Sequence, residues 1–416
     1  MVISSYSPSS NIAVHLPLYL EPLPFALPSL FPQLKAIRGA NITPKNVLSF
    51  QSLNGPSMTE LEIYSIAGDL SSQTLIDFVS DLGIIYPNMK SFTLNTILDN
   101  KRPETMIRGL SKTIRSWKLV RVELHTLDLD KAAYEHLMQL ESLTSITLIL
   151  VFDALPRLRQ AVLPRKPFPM LKDLTLIDRE YHIPWIAVEW LNCLSISPST
   201  LSCRACRYSA DPQQITDLCR AIATQLCHKS LEAIMLMDYG NSTSVEVDSI
   251  RPLFSFSRLR YVTLADLCTT SLSDDDLLDL ATSWSLLEVM NLNYYVNTQT
   301  RGVVMPTLEG FCHLLLHCPR LRRLTIVIDA RDSEWIDVTR PWDGVRGNHP
   351  MDFLRLGNSF IDNAKHVASI LSTLPSLKEV DTSCWDGYPL RGKPERETLL
   401  PLWKEVNCHL GELRNS

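Results

Sequence analysis

The sequence predicts an α/β solenoid, in which short parallel strands, each backed by a helix, stack side by side. Three observations carry this. One apolar phrase recurs through most of the chain at near-constant spacing. The segments between its copies show the i, i+3, i+4 apolar period of amphipathic helices. Glycine is scarce, 14 in 416 residues, which weighs against folds built on a glycine-rich phosphate loop.

The elements follow in order. Residues 1–30 hold Pro17, Pro22, Pro24 and Pro28. That density forbids a regular helix, so this stretch is expected to be a lead-in or N-terminal cap. The recurring phrase then begins: an apolar anchor, two variable residues, an apolar residue, one variable residue, another apolar residue. Its thirteen anchors are Leu34, Met58, Met89, Leu119, Leu143, Leu171, Leu201, Leu231, Leu259, Leu287, Leu321, Met351 and Leu377. Successive anchors lie 24 to 34 residues apart, with a mean near 28.6. One such phrase carries no information, because leucine is common; a dozen at this spacing marks a repeat architecture. The copy at Leu201 reads as degenerate, with Arg204 and Cys206 at positions expected to be apolar.

Helices are expected between the phrases. Residues 74–85 place Leu75, Phe78, Val79, Leu82 and Ile85 on one stripe. Residues 215–227 do the same with Leu218, Cys219, Ile222 and Leu226. Ser273 followed by Asp274, Asp275 and Asp276 marks a helix start, since acidic side chains suit the positive helix end. Residues 306–318 and 360–371 show the same period, and 394–416 reads as a helical C-terminal cap around residues 399–410. Each strand–turn–helix unit can bury its apolar face only against its neighbours.

Phrases such as Cys318-Pro319-Arg320-Leu321-Arg322-Arg323-Leu324-Thr325-Ile326 and Leu374-Pro375-Ser376-Leu377-Lys378-Glu379-Val380 resemble those of the leucine-rich-repeat superfamily in its helix-backed form. The resemblance covers about residues 30–385. It is nearest to the irregular repeat region of fungal F-box/LRR proteins. Leu16-Pro17 and Leu23-Pro24 are followed by too many prolines for a helical module, so no recognisable F-box precedes the repeats. The resemblance implies a curved leucine-rich-repeat solenoid over 31–393, with about thirteen irregular repeats and a concave parallel sheet. It also implies substrate recognition for a ubiquitin ligase, reached through a cullin-type ligase adaptor. The alternative is a stand-alone scaffold or regulator with no ligase link.

Charge and composition narrow the function. Forty Lys and Arg against 45 Asp and Glu give a net charge of −5, unlike the basic excess of a nucleic-acid binder. No window reaches the eighteen apolar residues of a membrane span. No Lys or Arg precedes Lys35, so a signal peptide's positive start is missing. All ten cysteines lie after residue 190, unlike a disulfide scaffold, and are expected as buried, reduced thiols. The expected setting is cytoplasmic and/or nuclear, without membrane or nucleic acid as partner.

Motifs for enzymatic chemistry are missing. The sequence has no Gly-x-Gly-x-x-Gly, Gly-x4-Gly-Lys, His-Glu-x-x-His or Gly-x-Ser-x-Gly, so no enzyme and no cofactor are expected. Cys203 and Cys206, with Cys227-His228 downstream, have one pair at zinc spacing but lack the second pair. Cys206 also falls at an inward repeat position. Cys312-His313 and His317-Cys318 read more simply as a helix packing Cys and Leu inward with His outward. The basic groups Arg320, Arg322, Arg323 and Arg157, Arg159 read as solvated faces, because acidic residues are interspersed.

Strand alternation turns the residues between anchors outward. That set includes Arg121 and Glu123, Ser145 and Thr147, Asp173 and Thr175, Ala233 and Met235, Tyr261 and Thr263, Val289 and Asn291, Arg323 and Thr325, Phe353 and Arg355, and Glu379 and Asp381. Loops after the last strands add Tyr294, Tyr295, Trp335, Trp342 and Trp385. Trp, Tyr and Arg dominate interface hot spots. The expected partner site is therefore Tyr261, Asn291, Tyr294, Tyr295, Arg323, Trp335, Trp342, Phe353, Arg355 and Trp385. The competing reading is that the loop aromatics cap the solenoid's end.

Overall fold

A computed structural model of the chain describes residues 13–15, 33–51, 53, 57–66, 72–97, 104–125, 129–150, 167–178, 185–194, 196–205, 211–238, 243–264, 268–293, 295–296, 303–334, 336, 349–386 and 395–415. Contacts divide it into two compact units, Met1–Glu180 with Glu189–Pro198, and Tyr181–Val188 with Ser199–Ser416.

The first unit is a parallel sheet in sequence order. Its strands are β1 (Ala13–His15), β2 (Ala36–Ile42), β3 (Glu60–Ile66), β4 (Ser91–Ile97), β5 (Arg121–Leu124), β6 (Ser145–Leu150) and β7 (Asp173–Asp178). Helices α1 (Val47–Gln51), α2 (Gln73–Ile85), α3 (Glu104–Ser116) and α4 (Lys131–Gln139) lie in the connections. The register aligns the phrases: Phe92 pairs with Val122, Val122 with Ile146, and Ile146 with Leu174. β2 departs from this. Ile37 pairs with Leu61 but Ala40 with Ile63, an extra residue in β2 that β3 matches one step later, where Asn41 pairs with Ser65. Gly39 absorbs it at φ +71°, a conformation that favours glycine.

The helices bury the stripe expected of them. α2 buries Leu75, Phe78, Val79 and Leu82. It meets α3 through small residues: a Cβ on Gly109 would lie 2.5 Å from Ser80 Oγ, and Thr113 Oγ1 donates to the Val79 carbonyl at 2.5 Å.

Helix α5 (Trp185–Asn192) follows. The second unit then holds the parallel strands β8 (Thr200–Ala205), β9 (Ala233–Asp238), β11 (Tyr261–Thr263), β13 (Val289–Asn291), β14 (Arg323–Thr325) and β16 (Phe353–Arg355). Two side ladders pair β10 (Thr243–Glu246) with β12 (Cys268–Ser271), and β15 (Asp329–Ala330) with β17 (Phe360–Ile361). Its helices are α6 (Pro212–Gln225), α7 (Asp274–Ser283), α8 (Leu308–His317), α9 (Ala364–Ser372) and α10 (Glu395–Asn415). Leu201, Ile234, Val262, Met290, Leu324 and Leu354 form one inward row, which Val380 extends through a bridge to Leu354.

All thirteen anchors are buried, at 0 to 5% exposure. Burying each such side chain stabilises by about 1.5–3 kcal/mol. One frame needs correction. Leu201 pairs with Ile234, three residues after the anchor Leu231, so this copy opens at the buried Pro198 rather than at Leu201. Cys203, opposite Leu236, is its inward residue. The copy looks degenerate only because proline and cysteine replace leucine; its strand is regular. Cys206 lies outside the described residues.

Helix starts follow their local chemistry. Ser273 Oγ accepts from Asp276 N at 3.2 Å, and Asp276 Oδ2 accepts from Ser273 N at 3.0 Å, a reciprocal cap on α7. Asp211 and Gln214 cap α6 the same way, with Pro212 in its first turn. The periodic stretch expected from residue 360 begins as strand β17; α9 starts only at Ala364, where Asn363 Oδ1 accepts from His366 N at 3.0 Å. Each unit is thus an α/β leucine-rich-repeat solenoid, an unclosed parallel sheet with helices covering one face.

Candidate protein-recognition surface

From Leu231 onward the residue just after each anchor forms a row of charges: Glu232, Arg260, Glu288, Arg322, Asp352 and Lys378. Backbone bonds stack them on neighbouring repeats. Arg260 N donates to Glu232 O at 2.8 Å, Glu288 N to Arg260 O at 2.8 Å, Arg322 N to Glu288 O at 2.8 Å, and Asp352 N to Arg322 O at 2.9 Å. The signs alternate, so adjacent repeats attract. Arg260 reaches Glu232 at 3.9 Å and Glu288 at 2.8 Å, and Arg322 reaches Asp352 at 2.7 Å. The Arg260 hydrogen bond holds the Glu288 carboxyl below its ordinary range, against a smaller opposing effect of burial. The pairing raises Arg260 in turn.

Two outward columns follow. The first runs Thr200, Ala233, Tyr261, Val289, Arg323, Phe353; the second runs Ser202, Met235, Thr263, Asn291, Thr325, Arg355. Tyr261 is 42% exposed, and its hydroxyl donates to Glu288 Oε2 at 2.9 Å. That bond raises the Tyr261 hydroxyl's pKa. The Arg260 guanidinium lies 5.7 Å from the Tyr261 ring centre. Phe353 has two arginines over its ring, Arg323 at 4.8 Å and Arg355 at 5.3 Å. Arg355 is also ion-paired with Asp381, its Nε at 2.9 Å, and reaches Ser383 Oγ at 3.2 Å. Burial alone would raise Asp381, but the Ser383 amide and hydroxyl and Arg355 together hold it below its ordinary value. Asn291 Nδ2 donates to Thr263 Oγ1 at 3.3 Å.

Five of the expected site residues, Tyr261, Asn291, Arg323, Phe353 and Arg355, therefore share one face on the consecutive strands β11, β13, β14 and β16. Two others do not join them as accessible groups. Tyr295 is 9% exposed and Trp385 1%, so both pack inward and leave little surface for a partner. A loop position after a strand does not fix which way its ring turns. Tyr294, Trp335 and Trp342 lie outside the described residues.

The first unit's outward face carries Arg121, Glu123, Ser145, Thr147, Asp173 and Thr175 in register. Arg38 grips Glu60 with two bonds, at 2.8 and 3.1 Å, and Glu60 raises its pKa. Tyr64 stands there 53% exposed.

Of the residues weighed as metal ligands, Cys206 lies outside the described residues. Cys203 is buried, which pushes its thiol up to about 12. His228 packs edge-on against Phe256 at 4.9 Å, and its Nε2 bonds the Ala223 carbonyl at 2.6 Å. Cys312 donates to Leu308 O at 3.0 Å within α8, while Cys318 is buried. Among the described residues no three His, Cys, Asp or Glu side chains are grouped to hold a metal. Arg157 and Arg159 lie outside the described residues.

No protein-family model matches the chain, and no curated protein does. Among solved structures, an internalin (InlF) from Listeria monocytogenes matches with a TM-score of 0.41 and 12% identity, over 83% of this chain and 85% of that one. Among the described residues no helix is long and apolar enough to cross a membrane.

Proposed function

We propose that this chain is a non-enzymatic protein-recognition module that binds its partner on the outward sheet face of the second unit. The observation that carries this is the row Tyr261, Arg323 and Phe353, set on parallel strands by backbone register. Tyrosine and arginine are prominent interface hot-spot residues. A strand ladder fixes their spacing before any partner arrives, which lowers the ordering cost of association. An open sheet face also lacks the enclosed, water-poor pocket that tuned acid–base chemistry needs.

The finer reading is substrate recognition in a ubiquitin ligase pathway, reached through a cullin-type adaptor in the cytoplasm or nucleus. Its support is the resemblance of the repeat phrases to fungal F-box/LRR proteins. The test is affinity capture from cell lysate with the proteasome blocked, read by mass spectrometry. The wild type is compared with a Tyr261→Ala, Phe353→Ala double variant. Adaptor and cullin in the capture support the ligase role. A stoichiometric partner without them leaves a stand-alone scaffold. An identical capture by the double variant overturns the assignment of the face.

A further inference from the structure

The arginines on the second unit's outward face are not equivalent. Arg260 is matched by Glu232 and Glu288, Arg322 by Asp352, Arg355 by Asp381, and Arg258 by Glu232. Among the described residues Arg323 pairs with no carboxylate; its guanidinium lies over the Phe353 ring. Arg320 and Lys378 also lack an ion pair among the described residues, and all three are exposed. In Arg323's own column the acidic residue, Glu379, lies one repeat beyond Phe353.

We infer that Arg323 is the docking point for a partner carboxylate, so that the partner presents an acidic segment to this face. The inference rests on the protein-recognition reading above and names the chemistry of the partner. Charge complementarity carries it. A guanidinium already stacked on an aromatic ring has lost part of its conformational freedom, and its planar fork of donors matches a carboxylate bidentately. On its own strand and the strands beside it, Glu288, Arg322, Asp352 and Arg355 are already ion-paired, so on these strands an incoming acid gains most at Arg323. The exposed ring of Tyr261 stands two strands earlier in the same column. At strand spacing that is about 10 Å, or about three residues of extended chain. The fitting segment therefore has Asp or Glu about three positions from an apolar or aromatic residue.

The test uses the full chain on an array of short random-sequence peptides, with wild type, Arg323→Ala, Arg323→Lys and the Tyr261→Ala, Phe353→Ala double variant. Circular dichroism confirms that each is folded. Wild type is expected to retain peptides enriched in Asp or Glu at the stated spacing. Arg323→Ala should lose the acidic preference and bind the best acidic peptide at least about tenfold more weakly. Arg323→Lys should keep part of the affinity, because it retains charge without the planar fork. Equal acidic enrichment with Arg323→Ala overturns the inference. So does a wild type that shows no acidic preference or leaves the array bare. A wild type that binds without acidic preference, and loses binding in the double variant, overturns this inference while the recognition reading stands. Binding unchanged by the double variant overturns both.

Discussion

The side-chain amide of Asn407 on α10 takes the place of a strand beside Val380. Its Nδ2 donates to the Val380 carbonyl at 2.9 Å, and its Oδ1 accepts from the Val380 amide at 2.8 Å. Val380 bridges to Leu354 of β16 on its other side, so it is the last sheet position in this unit's inward row. Unpaired strand edges recruit other chains. α10 closes this one and anchors itself through Trp403, whose indole donates to Ser359 O at 3.0 Å.

Asn407→Ala should therefore destabilise the protein by about 1–3 kcal/mol, the cost of leaving buried backbone groups without partners. It should also promote concentration-dependent self-association. Denaturant titration and light scattering read the two effects.

Gly310 sets a second expectation. A Cβ there would lie 2.7 Å from Asp274 Cγ and nearer still to Oδ1. That carboxylate is committed: it accepts from Thr307 N at 2.7 Å and from Thr307 Oγ1 at 2.6 Å. Gly310→Ala must push Asp274 off the residue that caps α8. The expected loss is about 1–3 kcal/mol by overpacking, measured as a lower denaturation midpoint. Asp274→Ala in the same chain should relieve the clash, so the two losses should not add.

The repeat was legible because burial makes strict demands. Every anchor needed an apolar residue, and a parallel sheet needed one per unit at fixed frame. The frame failed only at Pro198, where the position was filled by a residue that leucine counting does not see. The outward rows were legible by alternation alone, which placed Tyr261, Arg323, Phe353 and Arg355 together. Loop aromatics were not. The sequence places Trp385 after a strand, yet its ring is buried, because a loop has no period to fix its direction. Asn407 was missed for a similar reason: its role depends on α10 meeting Val380, 27 residues earlier in the chain.

Burial sorts the tryptophan and tyrosine candidates into different phenotypes. Trp385→Ala should cost about 3–5 kcal/mol, as for other buried large-to-small changes, and show first as a lowered melting temperature. Tyr261→Ala, on an exposed side chain, should leave melting nearly unchanged and weaken partner capture. A Trp385→Ala protein of wild-type stability would contradict the packing described.

The thiols give a chemical map of the same burial. Burial pushes Cys268 and Cys384 up to about 11 and Cys318 up to about 12, which starves them of reactive thiolate. Cys227 and Cys408 are exposed. Brief alkylation of the native protein at neutral pH, mapped by mass spectrometry, should modify these two well before Cys203, Cys219, Cys268, Cys318 and Cys384. Denaturant should remove the difference.

His349 makes stability pH-dependent on the acid side. It is 4% exposed; its Nε2 lies 3.2 Å from the Cys318 carbonyl, and its Nδ1 has no hydrogen-bond partner among the described residues. Burial lowers its pKa, with the backbone bonds at Cys318 and Leu315 opposing only in part. The unfolded chain, whose imidazole titrates near 6.5, therefore binds a proton that the folded protein resists. Unfolding then takes up protons, so stability falls as pH drops below about 6.5 and continues to fall towards the lowered folded value. Above that window His349 is neutral in both states and contributes no pH dependence. His349→Gln offers an amide donor for the Cys318 carbonyl but no titrating group. Urea midpoints measured from neutral pH down to about pH 5 should fall less steeply for this variant than for wild type. Parallel curves would assign the acid loss to other groups.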